Sequence, residues 1–309
     1  MIPPVVLFCK SYSGDLLRAM RLVKSVGRYN SDGLSFFLSV PECDFEAFSS
    51  RLNELDTEVK LLTDQEIIRS NPCGNEELYS RADGRYSQQV IKSEFWRYWL
   101  LNNSSYEELV YVCIDSDSEF IRNFYRHNFV NENGTPFTVC HDNEDLLRLA
   151  RLKKKHKVEL NFRKDCSLMK DIFGREGPDY AFSPTPVIWS SSVWQDLDEY
   201  YLKPKKISLW NAILERPNEV NWYGEALLHF RPIPLLPIGP LFRVYHYDWE
   251  FFYRKKQGET AEKLKKKFLG VLRQSNWEYE LDTSVVRQKK SVLSRLHRRL
   301  KRWITNIQN

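Results

Sequence analysis

Glu107-Glu108-Leu109-Val110-Tyr111-Val112-Cys113-Ile114-Asp115-Ser116-Asp117-Ser118-Glu119-Phe120 is the stretch on which the fold of this chain turns. Leu109 to Ile114 is an unbroken apolar run rich in β-branched and aromatic residues, which suits a strand buried on both faces and is too short for a free helix. Asp115 and Asp117 follow at i and i+2. In extended backbone such residues project to one side, so the pair is expected to present its oxygens together at the strand's carboxyl end, where open α/β sheets bind ligands. Two adjacent carboxylates repel unless a cation neutralises them. Mg²⁺ or Mn²⁺ does so and keeps positions for phosphate oxygens and water. An Asp-Ser-Asp turn with solvated side chains is the plainer alternative, and the fully apolar strand before it favours the metal site.

The residues N-terminal to this stretch supply the rest of a sheet. Val5 to Ser11 reads as a first strand, and Ser13-Gly14-Asp15 turns into a helix through Leu16, Leu17, Met20, Leu22, Val23 and Val26 to about Tyr29. Leu34 to Val40 is a second strand after the Asp32-Gly33 break, and Pro41 opens a second helix. Val59 to Leu62 is a third strand, followed by the capping-box pattern Thr63-Asp64-Gln65-Glu66. Strand alternating with helix predicts a doubly wound, mostly parallel sheet. Ser70 to Asp83 is polar and long enough to be a functional loop. A helix then runs from Gly84 on an apolar face of Val90, Phe95, Tyr98, Trp99 and Leu101. It carries Arg85, Gln88, Gln89 and Lys92 towards the carboxyl edge of the sheet, where they meet an anionic ligand or are merely solvated.

Lys10-Ser11-Tyr12 with Asp15, the Gly84-Arg85-Tyr86-x-Gln88-Gln89-x-x-Lys92 helix, and a hydrophobic strand ending in Asp115-Ser116-Asp117-Ser118 occur in that order. Pro186-Val187-Ile188-Trp189 and Glu219-Val220-Asn221-Trp222-Tyr223-Gly224-Glu225 follow. Together they resemble a family of GT-A-type nucleotide-sugar glycosyltransferases of bacteria, associated with surface-polysaccharide synthesis, over about residues 5–230. The resemblance implies a GT-A-like α/β fold with one Rossmann-type sheet and a C-terminal helical extension. It implies that Asp115 and Asp117 hold the metal that bridges the donor's diphosphate, with His246 as a late third ligand. Lys10, Tyr12, Arg85, Gln88, Gln89, Lys92 and Ser116 would bind the nucleotide-diphosphate sugar. Asn221-Trp222-Tyr223 departs from the acidic-aromatic-x-aromatic spacing of the family type, so the key carboxylate, Glu219 with Glu225 as its fallback, is placed only to within a few positions.

Later stretches are more individual. Phe137 to Cys140 reads as a strand, and Leu146 to Lys157 as a helix whose basic end complements the helix dipole. Trp194 to Tyr201 and Glu259 to Leu272 read as further helices. The expected division is a catalytic domain over 1–245, a helical extension over 246–286 and a basic amphipathic helix over 287–309.

The net charge of +5 conceals an asymmetry. The last 23 residues hold eight Lys/Arg and no acid, which leaves the first 286 at −3. A body without a basic face argues against nucleic acid as a partner. Leu293, Leu296, Leu300, Trp303, Ile304 and Ile307 form one stripe against Arg295, Arg298, Arg299, Lys301 and Arg302. That pattern fits a helix lying on an anionic membrane, or one packed on its own body. Six scattered cysteines, no leader-like N-terminus and no long apolar run give a cytoplasmic enzyme peripheral to the inner membrane as the expectation. The function expected is metal-dependent transfer of a sugar to a glycan or lipid-linked acceptor. Two alternatives stand beside it: a haloacid-dehalogenase-like phosphohydrolase with Asp115 as nucleophile, and a non-catalytic membrane-associated scaffold.

Overall fold

The structure is a computed structural model that describes residues 2–72, 74, 76, 79, 84–278 and 300. The basic helix expected over 287–309, Cys73 and most of the polar loop before Gly84 lie outside the described residues. In chain order the elements are β1 (Val5–Lys10), α1 (Leu16–Tyr29), β2 (Phe36–Val40), α2 (Phe45–Leu52), β3 (Lys60–Thr63), α3 (Asp64–Arg69) and α4 (Gly84–Asn102). Then come β4 (Val110–Asp115), β5 (Ser118–Phe120), β6 (Thr138–Val139), α5 (Glu144–Leu152), α6 (His156–Phe173), β7 (Val187–Ser190) and α7 (Ser191–Leu197). The remainder is α8 (Leu209–Glu215), α9 (Glu219–Phe230), β8 (Pro237–Ile238), β9 (Phe242–Tyr245), α10 (Asp248–Lys256), α11 (Ala261–Lys267) and β10 (Gly270–Arg273).

The central sheet has the order β3-β2-β1-β4-β7, parallel except for β7, which runs antiparallel to β4. The fold is thus mixed α/β with a mostly parallel sheet flanked by helices, as the strand and helix alternation predicts. β4 lies between β1 and β7, which explains its unbroken apolar sequence. Val110, Val112 and Ile114 face a core with α1, α2 and Phe242, while Tyr111 and Cys113 face a core with α4, α7 and α9. Asp115 continues the Tyr111–Cys113 face and so emerges on the α4 side. Under it lies an aromatic stack: Tyr111 meets Trp189 at 5.6 Å between centroids, and Trp189 meets Trp194 at 5.2 Å and Tyr223 at 5.6 Å. Each such pair contributes about 0.5–1.5 kcal/mol beyond the area it buries.

Four expectations are corrected. Ser116-Asp117 is a turn between β4 and β5, so the two-residue alternation ends at Asp115 and does not extend to Asp117. The run at Lys153–Lys157 does not end one helix: Lys153–Lys155 turn the chain between α5 and α6, with Lys154 at φ 53°, and His156 and Lys157 open α6. The expected helix over 259–272 stops at Lys267, and Leu269 and Leu272 enter the core as part of the approach to and body of β10. Gly270 allows this, because a Cβ there would strike the Phe242 ring and the Glu119 carbonyl. β10 pairs with β9 and with β5, so the sheet crosses the boundary expected at 245/246 and residues up to 278 are built into the body. Among the described residues no helix is long and apolar enough to cross a membrane. Cys9, Cys113 and Cys166 are buried thiols, whereas Cys43 is exposed.

Gly224, inside α9, lies against the face of the Phe182 ring, and a Cβ there would fall 2.1 Å from its Cγ. Alanine is favoured over glycine by roughly 1 kcal/mol in a helix interior, but overpacking a core costs typically ~1–3 kcal/mol. With the clash this deep, Gly224→Ala is expected to lower stability by about 1–2 kcal/mol in urea denaturation. A stabilised variant would show that the 182–185 loop yields freely.

Candidate functional site

The site is built where β1 and β4 end side by side, with Lys10 in register with Asp115. α4 delivers Lys92 from one flank and the first turn of α9 delivers Glu219 from another. The Lys92 ammonium donates to Asp115 Oδ1 at 2.6 Å and to Glu219 Oε1 at 3.4 Å. Burial works against the charged lysine, but the two carboxylates outweigh it and hold its pKa well above the ordinary lysine value. Asp115 is anchored through its own backbone, whose N–H donates to Thr185 Oγ1 at 3.0 Å, while that hydroxyl donates to the Cys113 carbonyl at 3.1 Å. Thr185 lies in a loop whose Ser183–Pro184 and Thr185–Pro186 bonds are both cis.

Asp117 looks the other way. Its Oδ2 accepts from the Ser275 N–H at 2.8 Å. Burial pushes its carboxyl up to about 7, the neighbouring Asp115 charge adds to this, and the Ser275 amide opposes it. Ser116, between the two aspartates, donates to Asp15 Oδ2 at 3.2 Å, and Asp15 is paired with the buried Arg18 at 2.8 Å. Arg18 in turn binds the Glu278 carbonyl. His246 shares a cavity with Asp115, and burial lowers its pKa to about 4, so the imidazole is neutral at ordinary pH. The cavity has a volume of about 200 Å³ and is bounded by Lys92, Asp115, Glu219, His246 and Gln274 on an apolar floor that includes Trp189.

The structure therefore brings together Lys92, Asp115, Glu219 and His246, and sets Ser116 and Asp117 immediately beyond them. It separates others. Lys10 is locked on Asp64 at 2.8 Å, and Asp64, fully buried, also accepts from Ser39 at 2.5 Å and from the Tyr79 hydroxyl. Lys10 thus ties the sheet edge together and does not offer its charge to the cavity. Arg85, Gln88 and Gln89 share the helical face of Lys92, one and two turns earlier, but do not line the cavity. Gln89 is turned back, donating to the Arg85 carbonyl at 2.9 Å. Tyr12 remains 47% exposed, its ring lying across Gly14. Glu225, the fallback carboxylate, is buried in a two-bond pair with Arg175 at 2.5 and 2.7 Å, outside the cavity lining. Helix periodicity explains this: six residues from Glu219 it has rotated well away from the cavity side.

Gln274, Ser275 and Arg18 escaped the sequence reading. Ser275 stands 158 residues from Asp117 and no local pattern marks it.

Among the described residues no three His, Cys, Asp or Glu side chains stand close enough to hold one ion. Asp115 is turned to Lys92 and Asp117 to Ser275. As a donor set, two carboxylates and a neutral imidazole nevertheless suit a hard divalent ion such as Mn²⁺ or Mg²⁺.

The model of a family of unknown function, DUF6492, matches residues 1–299. The chain belongs to that family. No curated protein matches it. Among solved structures it is similar to the apo bifunctional glycosyltransferase WbbM, at 11% identity and a TM-score of 0.47, covering 88% of this chain and 46% of that one. This DUF6492 chain thus spans less than half the length of WbbM. It is also similar to apo mouse xyloside xylosyltransferase 1, at 11% identity and a TM-score of 0.41, covering 89% of this chain and 99% of that one.

If Glu225 is structural and Glu219 belongs to the cavity, their substitutions separate. Glu225→Ala leaves Arg175 without its partner and is expected to cost about 3 kcal/mol of stability with little change in ligand binding. Glu219→Ala is expected to do the reverse. Denaturation alongside calorimetric titration of nucleotide sugars checks both, and an equal loss of binding in the two variants would return Glu225 to the site.

Proposed function

We propose that this chain is a glycosyltransferase that moves a sugar from a nucleotide-diphosphate donor to a glycan or lipid-linked acceptor in surface-polysaccharide synthesis. One observation carries the proposal: Asp115, at the carboxyl end of a central parallel strand, lines a cavity together with a buried ammonium, Lys92, and a second carboxylate, Glu219, and Asp117 follows in the turn just beyond. Once Asp115 and Asp117 turn from Lys92 and Ser275, they and His246 would hold a divalent ion, which when bound supplies positive charge for the departing diphosphate.

The chain's own groups do the rest. In the transfer an acceptor hydroxyl bonds to the anomeric carbon as the bond from that carbon to the diphosphate oxygen breaks. The electron pair leaves with the diphosphate, and the hydroxyl proton passes to a carboxylate. Glu219 is assigned that role, because it lines the cavity and Lys92 fixes one of its oxygens only. Lys92 sets the rotamers of Asp115 and Glu219 together, so the geometry is organised before substrate arrives. Tyr12, exposed beside the end of β1, offers a face on which a nucleobase can stack. Placement on the cytoplasmic face of the inner membrane through the basic helix of 287–309 belongs to the same proposal, since a membrane-borne acceptor would then lie within reach.

The test is incubation with a panel of nucleotide sugars and Mn²⁺ or Mg²⁺, reading release of the nucleoside diphosphate. One donor is expected to turn over, chelator to stop it, and Asp115→Asn or Asp117→Asn to slow it at least ~10²-fold. No turnover with any donor would favour a scaffold, and full activity in both variants would remove the aspartates from the site.

A further inference from the structure

We infer that the tip of the α5–α6 hairpin is a docking surface for an anionic lipid leaflet. This adds a contact on the body of the protein to the one proposed for residues 287–309, and it holds whether or not the cavity takes a nucleotide sugar. The tip is a fixed turn: the Lys154 N–H donates to the Arg151 carbonyl at 3.0 Å and the Lys155 N–H to the Ala150 carbonyl at 2.8 Å. Lys154, Lys155 and Lys157 are all exposed there, and among the described residues none of them has a carboxylate partner. The two nearest acids in sequence are taken by Arg151, which reaches Glu144 at 3.0 Å and Glu159 at 2.9 Å. Lys155 and Lys157 stand at the N-terminal end of α6, where the helix dipole disfavours positive charge. The run therefore gains nothing from the helix it opens, and an anion outside the protein would relieve it.

A second observation separates a bilayer from a soluble polyanion. Leu152 and Leu160 flank the run, 62% and 67% exposed, and neither enters a core. Apolar side chains interleaved with lysines are what a bilayer interface takes up: the ammoniums meet the phosphates and the leucines enter the acyl boundary. A soluble polyanion would use the lysines and leave the leucines in water. The patch continues onto α10, because the Lys153 ammonium lies 4.0 Å from the centre of the Tyr253 ring. Lys256, three residues on from Tyr253 and so on the same side of that helix, is exposed. α10 also links the patch to the cavity. It starts two residues after His246, which lines the cavity, and its nine residues span about 13 Å. A leaflet at the hairpin tip thus lies one short helix from the cavity.

Sedimentation of the full-length chain with vesicles tests this, using phosphatidylcholine alone and an equal mixture with phosphatidylglycerol, at low and high salt. The wild type is expected to bind the anionic vesicles at low salt and to leave the neutral ones. Lys154→Gln/Lys155→Gln/Lys157→Gln is expected to weaken that binding about 100-fold with residues 287–309 intact. Leu152→Ser/Leu160→Ser is expected to weaken it about tenfold. The two variants change exposed positions independently, so one that failed to fold would leave the other to decide. A lysine variant that binds like wild type would overturn the inference and leave the contact to residues 287–309. A leucine variant that binds like wild type would make the patch a site for a soluble polyanion and overturn the lipid assignment. A wild type that ignores anionic vesicles would overturn the inference together with the membrane placement, while release of a nucleoside diphosphate from the donor panel reads the cavity separately.

Discussion

An ammonium group almost closed to water, that of Lys92, stands between the carboxylates of Asp115 and Glu219, and the site is arranged around it. Taking a lysine out of water costs several kcal/mol, and only well-placed anions offset that. The constraint therefore reaches three elements at once. α4 must keep its register for Lys92 to arrive, β4 must end at Asp115, and α9 must begin at Glu219. The Tyr111 hydroxyl, which donates to the Lys92 carbonyl at 3.1 Å, pins the same turn of α4 to the strand beneath it. With its charge so engaged, Lys92 acts on a ligand chiefly through the two carboxylates it orients.

A second set of contacts closes the other flank. Ser275 holds Asp117, Ser116 reaches Asp15, and Arg18 joins Asp15 to the backbone of Glu278. Arg21 adds a bond to the Glu278 side chain at 3.3 Å. The segment after β10 is thus seated on Asp117 and on α1. The two aspartates, two positions apart, serve different neighbours: Asp115 opens on the cavity, and Asp117 faces the segment after β10.

Local pattern made much of this legible. The apolar run of Leu109–Ile114 fixes a doubly buried strand because both its faces are packed. Thr63 and Glu66 cap α3 as their spacing predicts, each accepting the other's backbone N–H. Lys92, Glu219 and His246 were found as residues whose chemistry suited the site, and each lines the cavity. What escaped depends on pairings between distant segments. The turn at Ser116-Asp117 follows from β5 leaving the central sheet to join β10. The strand character of Gly270–Arg273, hidden behind a lysine-rich helical pattern, comes from pairing with β9. Lys10 looked available because its partner Asp64 sits 54 positions on, inside what reads as a capping box.

The most direct test of the account is the stability of Lys92→Met beside that of Lys92→Met/Asp115→Asn/Glu219→Gln in chemical denaturation at neutral pH. Removing the ammonium alone leaves two carboxylates facing each other and is expected to cost about 3 kcal/mol, at the low end for a buried pair because Asp115 is 40% exposed. Neutralising both carboxylates as well should recover most of that loss. A Lys92→Met protein within ~0.5 kcal/mol of wild type, as at an ordinary surface position, or a triple variant with no recovery, would contradict the claim that this buried charge organises the site.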